Sequence, residues 1–559
     1  MLLGIDVGGT HTDAVLVGTD GLKAWAKAKT NHADLLSSIR EVLGLIVPKA
    51  GPAPITRLNL STTLSTNAIV EGRTEPVGVF VSSGPGIDAS AYAVGQHYRI
   101  IPGATDHRGR VTSPLDEAAA RQHAARCKAD GISVYACVGK FSPRNPEFEE
   151  TLRAVVHPQA DFVSCGHEFS GQLGFGRRIH TAAYNASVWR VFNRFADAVQ
   201  RCALEFGLSA QVNILKADGG TMPLSLSRTF PVESILSGPA ASVMGIIAVC
   251  DIAQDSVILD IGGTTTDIAL FADGAPLIEP EGAVISGLPT LVRALKSRSI
   301  GIGGDSAISV LEGQVRVGPR RLGPCMAEGG RHPTLTDALN VLGAAELGDV
   351  SASRRGLNEM AAQNGTDGRT LAQDAALAAV TSIRAAVIDL TRAVNDRPVY
   401  TIYELLDGKR LIPRTVYVMG GPAQAMAGLL AESFPEEVVV PESYAVANAI
   451  GAALSRPTLS AELFADTQRG RMLIPGLDVE EEIDSDYDLD QAQEDAARYL
   501  RGHLDNASIH DPDALVETVE AQSFNMVEDS ALVGRSIRVK CQIKPGVLPG
   551  FRKAVCCAC

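Results

Sequence analysis

The residues with the clearest chemical potential in this sequence lie in two near-identical turns. Residues 4–16 read GIDVGGTHTDAVL, and residues 258–270 read ILDIGGTTTDIAL. In each copy an apolar strand ends in an aspartate, two glycines and a threonine form a tight turn, and a Thr-Asp pair opens a second apolar strand. Glycines let backbone N–H groups approach an anion, and threonine hydroxyls add donors without adding charge. Each turn is therefore predicted to be a β-hairpin whose loop binds phosphate.

The aspartates of these turns cannot bind phosphate themselves, because like charges repel. Asp6 and Asp260, at the strand ends, are predicted to hold Mg²⁺ directly or through its waters. Asp13 and Asp267, beyond the turns, are predicted to orient the loops or a reacting water. One such hairpin is weak evidence for a binding site, but chance does not readily repeat the whole pattern. The two copies are too far apart for a solenoid period, so the repeat predicts a duplicated domain.

Two further glycine-rich turns are candidates for the same ligand. Gly303 and Gly304 are predicted to contact phosphate. Gly420 and Gly421 follow the predicted strand 415–419, and a strand ending in two glycines lets a flat ring lie against the backbone. That turn is therefore a candidate adenosine pocket, with a plain strand-to-helix turn as the alternative.

Length and composition limit the class of protein. The chain has 559 residues, which is too long for one ordinary core, and 54 glycines with only 5% aromatic residues favour an α/β protein. A formal net charge of −14 argues against nonspecific binding to nucleic acid or to anionic membranes. No targeting segment and no apolar run of about 18 residues is visible. These features predict a cytoplasmic protein with no transmembrane helix and with reduced thiols.

Composition and motif order predict three domains. Residues 1–175 are expected to form a lobe with the first phosphate loop, and residues 176–459 a core lobe with the second loop and the adenosine turn. Residues 460–559 are expected to form a small α+β domain, in which the acidic run at 479–496 is a solvated linker. A helix over 371–395 and a helix of small residues over 443–454 are also predicted.

The order of the two phosphate loops and the glycine turn resembles the ATPase superfamily of actin, hexokinase and the heat-shock chaperones. Within it, the chain resembles the hydantoinase A/5-oxoprolinase family. The matching blocks follow one another along most of residues 1–345, and they are GIDVGGTHTDAVL, Ser61-Thr62-Thr63, Thr66-Asn67-Ala68, Gly166-His167-Glu168, Arg178 with Thr181 and Asn185-Ala186, Asp218-Gly219-Gly220, residues 235–241, and Cys325 with Gly329-Gly330 and Pro333-Thr334-x-Thr336-Asp337-Ala338. Some blocks depart from the family pattern, including Leu60-Ser61 in place of His-Gly and Asp305 within the Gly-Gly-Gly-Ser block.

The resemblance implies an α/β fold of two ribonuclease-H-like lobes around an ATP cleft. It implies ATP and Mg²⁺ as cofactors, with Asp6 and Asp260 as the metal-holding residues. The residues implied to surround the nucleotide are Gly8, Gly9, Thr10, Thr12, Gly262, Gly263, Thr264, Thr265, Thr266, Gly303, Gly304, Gly420 and Gly421. Asp6, Asp13, Asp260 and Asp267 are the implied catalytic carboxylates, with Asp337 and His167 as further candidates on the substrate side.

The activity that the resemblance implies is ATP-dependent opening of a cyclic amide of the hydantoin or 5-oxoproline type. The alternatives are a small-molecule kinase or carboxylase-type subunit on the same scaffold, and an ATP-driven activator of a partner protein. A second hydantoinase-type subunit and an oligomer are the expected partners.

Several single residues have simpler interpretations. His167 beside Glu168 is a candidate general base, although a histidine in such a loop more often makes surface hydrogen bonds. Cys325 is expected to be a packed thiol rather than a nucleophile. Cys556, Cys557 and Cys559 lack the usual spacing of a metal site.

Overall fold

The computed structural model describes residues 1–31, 34–279, 281–396, 410–506, 515–528 and 531–551. The cysteines at 556–559 lie outside these residues. The α-helices are Leu35–Ile46, Leu64–Val70, Glu117–Ala129, Glu147–Val156, Phe175–Glu205, Leu224–Ser227, Ser237–Val249, Leu335–Leu342, Val350–Gln363, Gly368–Asn395, Ala423–Ser433, Ala447–Leu454 and Leu489–Asn506. Short 3-10 helices occupy Val47–Ala50, Ala89–Tyr92, His157–Gln159, Gly166–Glu168, Pro231–Ser234, Met326–Glu328 and Pro475–Leu477.

The first phosphate-loop hairpin belongs to a six-stranded sheet, which we call the first-lobe sheet. Its strands lie in the spatial order Thr221–Pro223, Gln211–Leu215, Arg57–Thr62, Leu2–Val7, His11–Gly18 and Gly21–Lys29. Leu2–Val7 is buried along its whole length, as expected for a central strand covered on both faces. It pairs antiparallel with the next strand of the hairpin and parallel with Arg57–Thr62 on its other side.

The second phosphate-loop hairpin belongs to a sheet of the same design, which we call the second-lobe sheet. Its strands lie in the order Ala275–Pro276, Thr266–Ala272, Ser256–Ile261, Thr415–Met419 and Glu437–Val439, and Ser297–Ile300 also pairs with Thr266–Ala272. As in the first lobe, the strand before the loop is antiparallel to the strand after it and parallel to a later strand.

The two hairpins also share one register. Asp6 lies opposite Asp13 in the first lobe, and Asp260 lies opposite Asp267 in the second. The repeat seen in the sequence is thus a repeat of structure, and the two sheets form two ribonuclease-H-like lobes.

Two helices of small residues join the lobes. Ser237–Val249 and Ala447–Leu454 share one core cluster with Leu2 and Val15 of the first-lobe sheet and with Ile258 and Met419 of the second-lobe sheet. The helices approach so closely that a Cβ on Gly451 would lie 2.5 Å from the carbonyl oxygen of Ala241, and one on Gly245 would lie 2.7 Å from the carbonyl carbon of Ala447. The predicted helix of small residues is therefore confirmed, and close backbone packing explains its composition.

An inserted α/β unit lies between the strands Arg57–Thr62 and Gln211–Leu215 of the first lobe. Its four parallel strands have the spatial order Phe162–Cys165, Val134–Gly139, Gly78–Ser82 and His97–Ile100. The first-lobe sheet consequently takes strands from 211–223, beyond the predicted boundary at residue 175. The sequence gives no sign of this, because the insertion separates strands that pair in space.

The helix Phe175–Glu205 fixes the inserted unit to the first lobe. Its first half contributes Phe175 and Ile179 to a core with Val79 and Val138 of the inserted sheet. Its second half contributes Phe192, with neighbouring residues, to the core of the first lobe.

The C-terminal region is a five-stranded antiparallel sheet with one helix. Its strands have the order Val479–Glu482, Arg471–Ile474, Ser460–Asp466, Ala531–Ile543 and Val516–Glu528, and Leu489–Asn506 packs on the sheet. The acidic run predicted to be a linker is instead partly the edge strand Val479–Glu482 and partly the start of that helix. On the edge strand, the carboxylate of Glu480 forms an ion pair with Arg471. The three consecutive glutamates 480–482 are all exposed on this edge strand and keep their charges in solvent, which explains why the run looked unstructured in the sequence.

The remaining strands form small two-stranded ribbons. They are Ala104–Thr105 with Val111–Ser113, Val284–Ile285 with Leu288–Pro289, and Ser306–Leu311 with Gln314–Arg321.

One helix among the described residues, Gly368–Asn395, is long and apolar enough to cross a membrane by length and composition alone. Its side chains Leu371, Val380 and Ile383 are buried in the second-lobe core, where they pack with Val416 and Val418 of the sheet. This is the position of a core helix.

Replacing Gly451 with alanine tests the close contact between the two central helices. The new methyl group would overlap backbone atoms of Ala241 and Gly245, so we expect a loss of about 1–3 kcal/mol in the free energy of unfolding. Gly428→Ala is the matched control, since Gly428 is exposed within a helix and its Cβ would meet nothing within 4 Å. That control should gain up to about 1 kcal/mol from helix propensity. Equal unfolding midpoints in denaturant for the two variants would contradict the close contact.

Candidate active site in the cleft between the lobes

The two phosphate loops are closed in the same way and face each other. The N–H of Gly8 donates to His11 O at 3.0 Å, and the N–H of Gly262 donates to Thr265 O at 2.9 Å. A Cβ on Gly263 would lie 2.5 Å from Cγ2 of Thr10, and one on Gly9 would lie 3.4 Å from Oγ1 of Thr264. Glycine is needed at Gly263 because the loop of the other lobe occupies that space. The loops are therefore opposite walls of one cleft.

The turn at Gly303 and Gly304 is held against the second loop. Gly304 N–H donates to Gly262 O at 2.9 Å, and Asp305 N–H donates to Gly263 O at 2.6 Å. A Cβ on Gly303 would lie 2.7 Å from the carbonyl oxygens of both Gly262 and Gly263. The turn therefore lies beside the second phosphate loop, and the phosphate contact of Gly303 and Gly304 stays a prediction.

The turn at Gly420 and Gly421 borders the same cleft. Gly420 has a φ of +94°, and a Cβ there would lie 2.6 Å from Oδ1 of Asp260. Gly420 therefore has to be glycine for both its conformation and its contact. Gly421 is exposed and a Cβ on it would meet nothing within 4 Å, so this backbone is open to a flat group.

The cleft concentrates negative charge. Burial raises the pKa of Asp6 to about 7, and the charges of Asp13 and Asp260 act in the same direction, although a hydrogen bond from Ser61 opposes them. Burial, and then the charge of Asp260, raises the pKa of Asp267 to about 7. Burial also raises the pKa of Asp13, while Lys27, whose Nζ lies 3.0 Å from Oδ2 of Asp13, opposes the shift.

Three polar residues outside the loops hold the two strand-end aspartates. Asn448 donates from Nδ2 to Oδ2 of Asp260 at 2.9 Å, and Ser242 donates to the same oxygen at 2.6 Å. Asn448 and Ser61 also hydrogen-bond to Asp6. Ser61 and Asn448 lay in segments that the sequence singled out, but only the fold shows that a helix between the lobes brings Asn448 to both carboxylates.

This donor set fits Mg²⁺. The cleft offers carboxylate oxygens from both lobes, burial and neighbouring carboxylates raise the pKa values of Asp6 and Asp267, and Oδ1 of Asn448 is buried without a hydrogen-bond partner. Mg²⁺ prefers such oxygen ligands and usually keeps several waters. The aspartates do not form a group of three with ligand atoms within 4.8 Å of one another among the described residues, so this geometry suits an ion held partly through water.

Thr12 and Thr266 do not face the cleft. Both are fully buried, and side chains alternate along a strand, so each points away from the aspartate that follows it. Thr12 shares a hydrogen bond with Thr30 at 3.1 Å, and Thr266 donates to Ile302 O at 2.6 Å. Their predicted phosphate contact is corrected to a role in holding neighbouring segments. Thr10, Thr264 and Thr265 are half-buried at the turns and remain candidates for phosphate contact.

Asp337 is also corrected, from a substrate-side candidate to a structural residue. Its buried carboxylate accepts from the backbone N–H groups of Met326, Ala327 and Thr334 and from the hydroxyls of Thr334 and Ser353. It caps the helix Leu335–Leu342 and fixes the turn at Met326–Glu328. The block that looked catalytic in the sequence is a capping box. Cys325 beside it is buried, and burial raises the pKa of its thiol to about 11, as expected for a packed cysteine.

His167 lies at the carboxyl end of the inserted sheet and is buried. Its Nδ1 lies 2.5 Å from Oε2 of the fully buried Glu149, whose other oxygen accepts from Gly139 N–H at 2.7 Å and lies 3.6 Å from the guanidinium of Arg178. Glu149, Cys165 and His167 are close enough to hold a metal ion. However, Glu149 is already satisfied by His167, Gly139 and Arg178, so we interpret the group as a buried ion-pair network.

The family comparison agrees with this site. The Hydantoinase/oxoprolinase family matches residues 178–461, and the Hydantoinase/oxoprolinase N-terminal region matches residues 2–158. The chain therefore belongs to the hydantoinase/oxoprolinase family, as the sequence blocks predicted.

Among curated relatives, caprolactamase subunit alpha of Pseudomonas jessenii is 29% identical over 399 residues, which are 64% of this chain and 57% of the relative. The 5-oxoprolinase of Saccharomyces cerevisiae is 27% identical over 44% of this chain and 19% of its own length. The acetophenone carboxylase gamma subunit of Aromatoleum aromaticum is 25% identical over 64% of this chain and 55% of its own length. The match thus spans 57% of the caprolactamase subunit and 55% of the acetophenone carboxylase subunit, but only 19% of the yeast 5-oxoprolinase.

Two solved structures share the fold. The ATP-dependent caprolactamase from Pseudomonas jessenii has a TM-score of 0.70 at 21% identity, and nucleotide-free acetone carboxylase has a TM-score of 0.68 at 18% identity. In both cases the match covers 98% of this chain and 88% of the other. The predicted fold class of two actin-like ATPase lobes is confirmed.

The pair of His167 and Glu149 predicts a pH dependence of stability. Burial alone would lower the pKa of His167, but the hydrogen bond and charge of Glu149 outweigh it and raise that pKa above 6.5. Because the pKa of His167 is higher in the folded state than in the unfolded state, its protonation stabilises the fold. That contribution is fully present at pH values below 6.5, and it is lost as the pH rises through the folded-state pKa. The thermal unfolding midpoint of wild type should therefore exceed that of His167→Gln most near pH 6, and the difference should shrink towards about pH 9.

His157→Gln serves as the control for this experiment, since His157 lies in a short 3-10 helix after the same Glu149 helix, with no residue of that 3-10 helix buried. A wild-type advantage over His167→Gln that is independent of pH would show that His167 is held neutral and would contradict the ion pair.

Proposed function

We propose that the chain is an ATP-dependent enzyme that binds Mg²⁺·ATP in the cleft between the two phosphate loops. The observation that carries this proposal is the meeting of two identical Asp-x-Gly-Gly-Thr turns, one from each lobe, with the Gly303 and Gly420 turns beside them. Backbone N–H groups and the hydroxyls of Thr10, Thr264 and Thr265 are suited to bind phosphate oxygens. Asp6 and Asp260 are suited to hold Mg²⁺ or its waters, with Asn448 and Ser242 fixing their rotamers.

For the reaction, we propose ring opening of a small cyclic amide. An unstrained lactam resists water, because amide resonance makes its carbon a poor electrophile. Transfer of the terminal phosphoryl group of ATP to the carbonyl oxygen removes that resistance, and addition of two waters then gives the amino acid, ADP and phosphate. In this reaction the residues of the chain would position the reactants and offset charge, and we propose that Asp13 or Asp267 orients a water.

Support for the cyclic amide comes from relatives named caprolactamase and 5-oxoprolinase. A carboxylase-type subunit is the second candidate, because relatives named acetophenone carboxylase and acetone carboxylase match similar shares of the chain. Several of these relatives are named as subunits, so we also propose that a second, separately encoded chain completes the enzyme.

Replacing Asp6 with asparagine tests the metal and nucleotide site. The change removes a carboxylate ligand without altering size, so the affinity for Mg²⁺·ATP, measured by calorimetric titration, should fall by about tenfold or more. The wild-type affinity should also weaken as pH falls through about 7, since Asp6 and Asp267 take up protons there and a protonated carboxyl is a poor ligand. Asp20→Asn is the matched control, because Asp20 is exposed on the turn between the strands His11–Gly18 and Gly21–Lys29. This variant should bind Mg²⁺·ATP like wild type. Equal affinities for the two variants would refute the assignment of Asp6.

A turnover assay tests the substrate class. Caprolactam, 5-oxoproline and hydantoin are supplied singly with Mg²⁺·ATP, and both ADP and ring-opened acid are measured. We expect one of these rings to raise ADP release and to yield its acid in equal amount, and Asp260→Asn to abolish both. If a ketone with bicarbonate stimulates turnover and no ring does, the carboxylase-type function replaces the cyclic-amide function. If the same rings act only after a second family subunit is added, the heteromeric form of the proposal is supported.

A further inference from the structure

The inserted sheet has a topological switch point that the nucleotide cleft does not use. In chain order its parallel strands are Gly78–Ser82, His97–Ile100, Val134–Gly139 and Phe162–Cys165, but in space the third strand lies beside the first, on the side opposite the second. The chain therefore turns to opposite sides after the first and third strands, the connectivity that in open α/β sheets gives a crevice outside the carboxyl ends of the strands. In open α/β sheets, ligands bind at such points.

The segment after the first strand brings an unused donor to this crevice. Ser83 follows Gly78–Ser82 directly and is only 7% exposed. Within the described ranges its hydroxyl has no hydrogen-bond partner, whereas the buried Ser142 at the end of the neighbouring strand donates to Gly139 O and accepts from Arg178. Oγ of Ser83 is not among the fully buried unpaired atoms, so the hydroxyl reaches the protein surface and is accessible to a ligand.

The segment after the third strand brings a cation to the same place. Lys140 N–H donates to Ser82 O at 2.8 Å, and its Nζ donates to Pro85 O at 2.8 Å, so Lys140 bridges the two segments. A Cβ on Gly86 would lie 3.7 Å from Nζ, and Gly86 has a φ of +85°, so the loop folds around the ammonium group. In the described part of the chain no carboxylate lies within 4.0 Å of Nζ, which leaves the charge of Lys140 without a counter-ion.

The acidic groups nearest to the crevice are already engaged elsewhere. Glu149 is fully buried and bonded to His167 and Gly139, and it lies beside Arg178. Asp88 is exposed and accepts from both the N–H and the hydroxyl of Ser90. The end of the sheet therefore presents the exposed ammonium group of Lys140, which lies 5.1 Å from the ring centre of Phe141 and pairs with no carboxylate among the described residues, and the hydroxyl of Ser83.

We propose that this switch point binds a small anion, a carboxylate or a phosphate, between the Ser83 hydroxyl and the Lys140 ammonium group. The site is distinct from the cleft between the lobes, and the proposal does not depend on the function proposed above. The anion supplies the counter-ion for Lys140 and the acceptor for Ser83.

Lysine reactivity tests this proposal at the residue itself. The full chain is treated with a limiting amount of an acetylating reagent in phosphate, in acetate or in chloride at matched ionic strength, and acetylation rates of single lysines are measured by peptide mass spectrometry. At an anion concentration of about twice the dissociation constant, the bound ion should slow acetylation of Lys140 about threefold. Lys49 and Lys128 are exposed on other surfaces and should react at unchanged rates.

Ser83→Ala should lose most of the protection at Lys140, while Ser113→Ala, an exposed serine in the same unit, should keep it. Thermal unfolding of both variants checks that they fold. Protection by phosphate alone or by acetate alone supports the site and identifies its ligand class. No protection at Lys140, equal slowing at all three lysines, or full protection in Ser83→Ala would each overturn the proposal.

Discussion

The meeting of Asp6 and Asp260 in one cleft is the constraint on which the rest of this structure depends. The fold brings a buried carboxylate from each lobe to the same place, with Asp13 and Asp267 beside them, and burial alone disfavours the charged form of each. Hydrogen bonds from Ser61, Ser242 and Asn448 offset part of this cost. The divalent cation proposed for this cleft would offset the remainder, so the electrostatics of the cleft are consistent with the proposed ligand.

The same constraint explains the composition of the centre of the molecule. Asn448 reaches both aspartates only because its helix lies between the lobes, and that helix fits there only because it and its neighbour carry glycine or alanine where their backbones touch. Gly245 and Gly451 touch backbone directly, and Gly4 of the first strand would place a Cβ 2.7 Å from the backbone nitrogen of Ala453. Larger side chains at these positions would separate the lobes and with them the two carboxylates.

Sequence reasoning found the hairpins, the fold class and the position of the glycine turns, because each is encoded locally. A strand, an aspartate and a glycine turn occupy about a dozen consecutive residues, and the repeat marks them as functional. The same reasoning wrongly placed Thr12 and Thr266 in the site. Each directly precedes an aspartate of the site, Asp13 or Asp267, and side chains of consecutive strand residues point to opposite faces, so both threonines are buried on the far side of the sheet. Asp337 was misassigned because a capping box and a catalytic block look alike until the donors to the carboxylate are seen.

What the sequence could not predict depends on contacts between distant segments. The first-lobe sheet is completed by strands that follow an insertion of more than a hundred residues, and Lys27 joins the site from a segment with no motif of its own. Asn448 lies in a helix that the sequence predicted, but only the fold brings it to the aspartates. The insertion is nevertheless tied to the cleft mechanically, since one helix, Phe175–Glu205, holds the Glu149 network at its first turn through Arg178 and packs its later turns against the sheet of the first lobe. A helix of 31 residues is about 46 Å long. Because this one helix packs against both the inserted sheet and the first-lobe sheet, a movement of the first lobe against the second would carry the inserted sheet with it.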